Sequence, residues 1–146
     1  MNQIKIQGRI TLELFDRQGR LKLRRVVKNI VTNTGRQLII DRLQGAAQAV
    51  ADYIAIGTNA TAAAAADTTL GAEVARAVGA LTQPDAHTDR CIVTFAAGTG
   101  TGTITEAGRL NAASVGVLMG RQVFTGIVKT ASDSLQITYD FTYAAS

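Results

Sequence analysis

"IKIQGRITLELFDRQGRLKLRRVV", residues 4–27, decides the fold class. Ile4, Ile6, Ile10, Leu12 and Leu14 fall on even positions, with mostly polar residues between them. An apolar residue at every second position marks a strand with one buried face, because successive side chains of an extended chain point to opposite sides. "DRQG" (residues 16–19) then supplies a turn, and Gly19 suits a left-handed backbone there. In the return segment Leu21 and Leu23 point one way, and Arg20, Lys22 and Arg24 the other. The expectation is a hairpin with one oily face and one basic face.

The same period returns at the far end of the chain, where Leu135, Ile137, Tyr139, Phe141 and Tyr143 alternate with Gln136, Thr138, Asp140 and Thr142. Between the two ends lie further strand candidates, near residues 53–56, 73–81, 90–95, 102–106 and 116–124. "TQPDAHTD" (residues 82–89), with the chain's single proline, is expected to be an exposed loop. Only "TNTGRQLIIDRLQG" (residues 32–45) changes period. There Thr34 and Gln37 fit a capping box, Leu38, Ile39 and Leu43 recur at helical spacing, and Gly45 ends the run. One short helix is expected over 35–44. "TNATAAAAADTTLGAE" (residues 58–73) contains five consecutive alanines, but its flanking Thr, Asn, Asp and Gly favour an irregular surface loop over a helix. Short strands, Gly- and Asp-rich turns and one helix predict an all-β fold, a β-sandwich or jelly-roll-like domain with an N-terminal β-hairpin. The 146 residues read as a single domain, with 1–31 as a basic hairpin or arm and 32–146 as the body.

Composition narrows the function classes. Apolar residues make up 47% of the chain, enough for a packed core, and no apolar run reaches the roughly 18 residues of a membrane span. The alternating N-terminus lacks the apolar stretch of a signal peptide, so folding in a cytoplasm is expected. The net charge of +4 is unevenly placed. Residues 1–45 carry ten basic and three acidic side chains, or +7, and the remainder carries five against eight, or −3. Such a split suggests an acidic partner surface, a nucleic acid or head-to-tail self-association.

Chemistry-bearing residues are few. With one cysteine (Cys91) and one histidine (His87), the chain can form neither an internal disulfide nor a Cys/His zinc site. His87 and Cys91, four apart, read as a loop histidine beside a buried strand cysteine rather than a nucleophile and its base. "GTGTGTITEAG" (residues 98–108) has no lysine after its glycines, and Thr103 stands where a G-x-G-x-x-G pattern needs glycine. A strand-like run follows it, so no helix N-terminus is offered to a phosphate. It reads as a turn between strands, with Glu106 and Arg109 as an ion pair fixing that turn. No catalytic, cofactor-binding or metal-binding residue is expected. The partner-binding candidates are Arg20, Lys22, Arg24, Arg25 and Lys28. Phe15 is the only aromatic residue among the first 45, and single-strand binders add stacking rings to a basic groove, so a protein partner is favoured over nucleic acid.

Four segments in this order, "NIVTNTGRQLIIDRL", "DYIAIGTNATAAAAADTTLGAEVAR", "VTFAAGTGTGTITEAGRLNAAS" and "LMGRQVFTGIVKTASDSLQITYDFTY", resemble small virion structural proteins of tailed bacteriophages. That group includes head decoration or cement proteins and tail-fibre-like proteins, and the resemblance covers most of residues 29–143. Arg109 departs from it, since a more apolar residue is expected there. The resemblance implies an all-β, non-enzymatic virion protein, assembled in the host cytoplasm and bound to the major capsid protein or another virion protein. It implies a homo-oligomer with no membrane and no cofactor. Head decoration is the leading expectation, because no coiled coil or repeat of a fibre is present. A tail, baseplate or fibre-adaptor role is the alternative, followed by a small nucleic-acid-binding β domain. Strand addition and charge complementarity are the two modes of attachment such a domain offers.

Overall fold

The computed structural model describes residues 3–145. Its strands are β1 (Ile4–Phe15), β2 (Leu21–Val31), β3 (Tyr53–Gly57), β4 (Glu73–Val78), β5 (Ala80–Asp85), β6 (Thr88–Phe95), β7 (Gly102–Leu110), β8 (Leu118–Lys129) and β9 (Ser134–Ala145). One helix, α1 (Asn33–Leu43), separates β2 from β3. The strands form one antiparallel sheet in the order β4-β3-β7-β8-β2-β1-β9-β6-β5, curled so that β3 and β4 come against β6. The fold is all-β, with one helix and an N-terminal hairpin, as the alternation predicts.

The period-2 residues do what their spacing demands. Ile10, Leu12 and Leu14 of β1, Cys91, Val93 and Phe95 of β6, and Leu135, Ile137, Tyr139 and Phe141 of β9 all enter one core. Asn29 lies among them and donates from Nδ2 to the Tyr139 hydroxyl at 2.7 Å. Gly8 sits directly opposite Asn29, and a Cβ there would fall 1.1 Å from the Asn29 Oδ1. The missing side chain therefore makes room for the amide.

Several boundaries differ from the expectations. The hairpin is no arm: β1 is paired along its whole length with β9, and from Gly8 to Phe15 with β2 as well, so it forms part of the wall. Leu21 and Leu23 do not share a face. Leu23 lies opposite Leu14 and Leu21 opposite Phe15, so a bulge at Lys22 turns Leu21 outward, where it is 52% exposed. The segment expected as one strand over 73–81 breaks at Gly79, whose N–H donates to the Asp52 carbonyl at 2.6 Å. Here a Cβ would lie 2.5 Å from Cys91 Sγ, so the chain passes too close to β6 for any larger residue. Beyond the break, residues expected as a loop form the exposed edge strand β5, which tolerates Pro84 because an edge need not donate on both sides. β5 and β4, the two outermost strands of the sheet, are thus consecutive in the chain.

The helix starts two residues before its expected position. Thr32, not Thr34, is the N-cap, and its Oγ1 accepts from the Gly35 N–H at 3.0 Å. β7 runs past its expected end at residue 106 as far as Leu110, and β8 extends past residue 124 to Lys129. Residues 58–72 form no helix, in agreement with the loop reading. They fold over the face of β3, β7 and β8 turned away from the main core, where Leu70 packs with Ala55, Leu110 and Leu118.

Candidate partner-binding surface

The glycine-rich stretch joins β6 to β7, with Gly98, Gly100 and Gly102 all at positive φ. It is a strand-to-strand turn, as its sequence suggests. Glu106 and Arg109 do not pair with each other, because a separation of three in a strand puts them on opposite faces. Glu106 faces the 58–72 loop, where it is fully buried. Its carboxylate accepts from the N–H groups of Gly71 (2.9 Å), Ala72 (2.7 Å) and Asn59 (3.3 Å), and from Arg121 Nε at 2.8 Å. Arg121 also reaches Asp67 at 2.8 Å and the Thr61 carbonyl at 3.1 Å. One buried acid–base pair thus fastens the alanine-rich loop.

Arg109 faces the main core. It lies over the Phe141 ring, 5.4 Å from the centroid, and donates to the Ala51 carbonyl at 2.6 Å and to Asp89 Oδ1 at 2.9 Å. The arginine at an apolar position is therefore a structural strut. It closes the floor of a recess of about 410 Å³ beneath α1, walled by Leu38, Leu43, Val50 and Leu81. His87 lies exposed in the β5–β6 turn and Cys91 is buried in the core. Burial raises the Cys91 thiol to about 11, which keeps it protonated and unreactive at neutral pH. Among the described residues no cluster of three or more His, Cys, Asp or Glu side chains forms a metal site. Nor is any described helix long and apolar enough to cross a membrane.

The five basic residues singled out in the hairpin divide sharply. Arg20 closes its own turn, with Nε 2.9 Å from Asp16 Oδ2. Asp16 is held below the usual carboxylate range, first by the Arg20 backbone N–H. Lys22, redirected by the bulge, grips both oxygens of Asp133 at 3.0 Å in the β8–β9 turn. Asp133 is likewise lowered, first by the Thr130 N–H and then by Lys22. Arg24 stands 4.0 Å from Glu13 across the hairpin. Arg25 shares the parity of Leu23 and points inward, donating to the Thr125 carbonyl where β2 and β8 part. Of the five, only Lys28 has no carboxylate or carbonyl partner among the described residues, and it is exposed.

Lys28 belongs to a row of charges that the sequence reading missed. It lies opposite Arg9 of β1, Arg9 lies opposite Asp140 of β9, and Asp140 lies opposite Arg90 of β6. Arg90 holds both Asp140 oxygens at 2.8 Å, which with the charge of that carboxylate raises the arginine further. Arg9 approaches the same carboxylate only to 3.6 Å, with its side chain 59% exposed. Together with Thr88 and Thr142 these residues line a groove of about 730 Å³. Strand parity was the signal available: Arg9 and Arg90 are the outward neighbours of Ile10 and Cys91. What parity could not supply was the order of strands that sets them side by side.

Family models, curated proteins and solved structures were compared with the chain, and none matches it.

Proposed function

We propose that this chain is a non-enzymatic structural protein of a bacteriophage particle. It binds the assembled head shell as a decoration or cement protein and meets an acidic face of its partner through the outward cations of β1 and β2. One observation carries this reading. Of the eleven acidic side chains, all but Asp52 are held by donors of their own chain, among them Arg20, Lys22, Arg76, Arg90, Arg109 and Arg121. The excess of base over acid is therefore displayed outward, at Lys5, Arg9, Arg17 and Lys28 of the hairpin, which is the charge arrangement of a surface that docks on an acidic neighbour. The same fact speaks against head-to-tail self-association by charge, since the body has few free carboxylates to offer the basic strands. Oligomers around a symmetry axis would instead repeat one docking contact, so that a modest interface gains by multivalency.

The test mixes purified protein with shells that lack it, over a salt series, and follows binding by sedimentation and imaging. Stoichiometric, symmetric occupancy that weakens as salt rises is expected. Absence of shell binding, with labelling confined to tails or the vertex, would overturn the shell reading in favour of a tail, baseplate or fibre-adaptor protein. Steeply salt-dependent binding to DNA without shell binding would overturn both.

A further inference from the structure

We infer that the groove across β2, β1, β9 and β6 is a seat for the carboxylates of an acidic polypeptide segment, gripped by Lys28 and Arg9. This deepens the reading above and shares its premise that the partner is a protein. The row contains a misfit. Like charges directly opposite on neighbouring strands destabilise a sheet, whereas unlike charges support it. Elsewhere on the same face the rule is obeyed, with Arg24 opposite Glu13 four residues along the hairpin and Arg90 opposite Asp140 across the row. It is broken at Lys28 opposite Arg9. Asp140 relieves the pair only in part: it stands opposite Arg9 and 3.6 Å from its guanidinium, but Arg90 already holds both of its oxygens at 2.8 Å. A carboxylate entering between Lys28 and Arg9 would supply the missing charge, and the planar guanidinium of Arg9 suits it.

The surroundings select the occupant. Side chains directly opposite on paired strands stand about 5 Å apart, and alternate side chains of an extended peptide about 7 Å apart. The long side chains of Lys28 and Arg9 can splay by the difference, so acids at every second position of an extended segment come within their reach. Thr88 and Thr142, whose hydroxyls pair with each other at 3.2 Å, form the floor beside the row, and Pro84 provides a wall. A nucleic acid fits less well, because no aromatic ring lines the groove for bases to stack on. A second copy of this chain fits poorly too, since its acids are engaged at home.

The test titrates isotope-labelled protein with a short alternating Glu-Ala peptide and follows backbone amide shifts. A Lys-Ala peptide and a single-stranded DNA oligonucleotide serve as the other arms. Shifts are expected at Arg9, Lys28, Thr88 and Thr142 with the acidic peptide alone, weakening with salt. Lys28→Ala should weaken that binding roughly tenfold, the loss of one charge-assisted contact, and Lys28→Arg should retain it. Lys28→Ala should also leave the melting temperature unchanged or slightly higher, because it removes a repulsion. A purely structural lysine would show the reverse pattern. Three results would overturn the seat: no shifts in the groove, tighter binding of DNA there, or full peptide affinity in Lys28→Ala. The shell experiment separates this proposal from the one it deepens. Shells decorated equally by the wild type and Lys28→Ala would sink the seat and keep the shell reading. Peptide binding without decoration would keep the seat and sink the shell reading.

Discussion

Replacing Glu106 with glutamine should release the alanine-rich loop while leaving the barrel wall intact. The change keeps the shape of the side chain and removes its charge. Four donors converge on the native carboxylate, three backbone N–H groups and Arg121 Nε. An amide has one oxygen. If its nitrogen takes the Oε2 place it faces Gly71 N–H and Arg121, and if it takes the Oε1 place it faces Ala72 and Asn59. Either way two buried donors lose their acceptor. At about 1–3 kcal/mol for each orphaned group, the cost is roughly 3–4 kcal/mol, within the 3–5 kcal/mol typical of breaking a buried pair. For a chain of this length that corresponds to a melting temperature lower by about 10 °C. Amide hydrogen exchange should locate the effect: Gly71 and Ala72 should exchange roughly a hundredfold faster, while β1 and β9 amides change only as global stability falls. A melting temperature within about 2 °C of wild type, with Gly71 and Ala72 still protected, would refute the assignment of Glu106 as the loop's anchor.

Further outcomes follow from the same geometry. Burial pushes the Asp67 carboxyl up, but the Ala64 N–H and Arg121 outweigh it and hold the group below its ordinary value. A depressed acid stabilises the fold above its unfolded pKa and ceases to do so as pH falls through the folded value, so loop exchange should accelerate below about pH 4. In Asp67→Asn that acid-dependent step should disappear. Gly8→Ala should cost about 1–3 kcal/mol in a denaturant melt through its collision with Asn29, and adding Asn29→Ala should recover part of the loss. With its thiol near 11 and buried, Cys91 should resist alkylation at pH 8 in the native protein and react fully in denaturant. Rapid labelling of the native protein would show that β6 opens locally.

What the sequence reveals here is what one strand or one helix can say about itself. Alternation located β1 and β9 and their buried faces, since a residue's side of a strand depends only on its parity. The helix was found as well, though its cap was misplaced, because Thr32 and Thr34 are equally good N-cap residues and only the fold decides between them. Other features depend on partners far along the chain. Glu106 and Arg109 are three residues apart but bind Arg121 and Asp89, and neighbours in sequence gave no hint of either. Lys22 looked like one more cation on a basic face until a bulge of one residue turned it toward Asp133. Gly79 looked like part of a strand, yet its role is set by the closeness of Cys91, a contact across the sheet. Arg9 and Arg90 escaped notice for the same reason, since eighty residues of chain separate two side chains that β9 brings to one carboxylate.

The joining of β4 to β5 through Gly79 has a mechanical consequence. Neither outermost strand can be pulled away alone, since tension on β5 passes through residue 79 to the Asp52 carbonyl and then to β4 and β3. Pull and resistance are shared at a single bend. A nick there would leave every ladder of the sheet in place, yet turn one tethered corner into two loose ends.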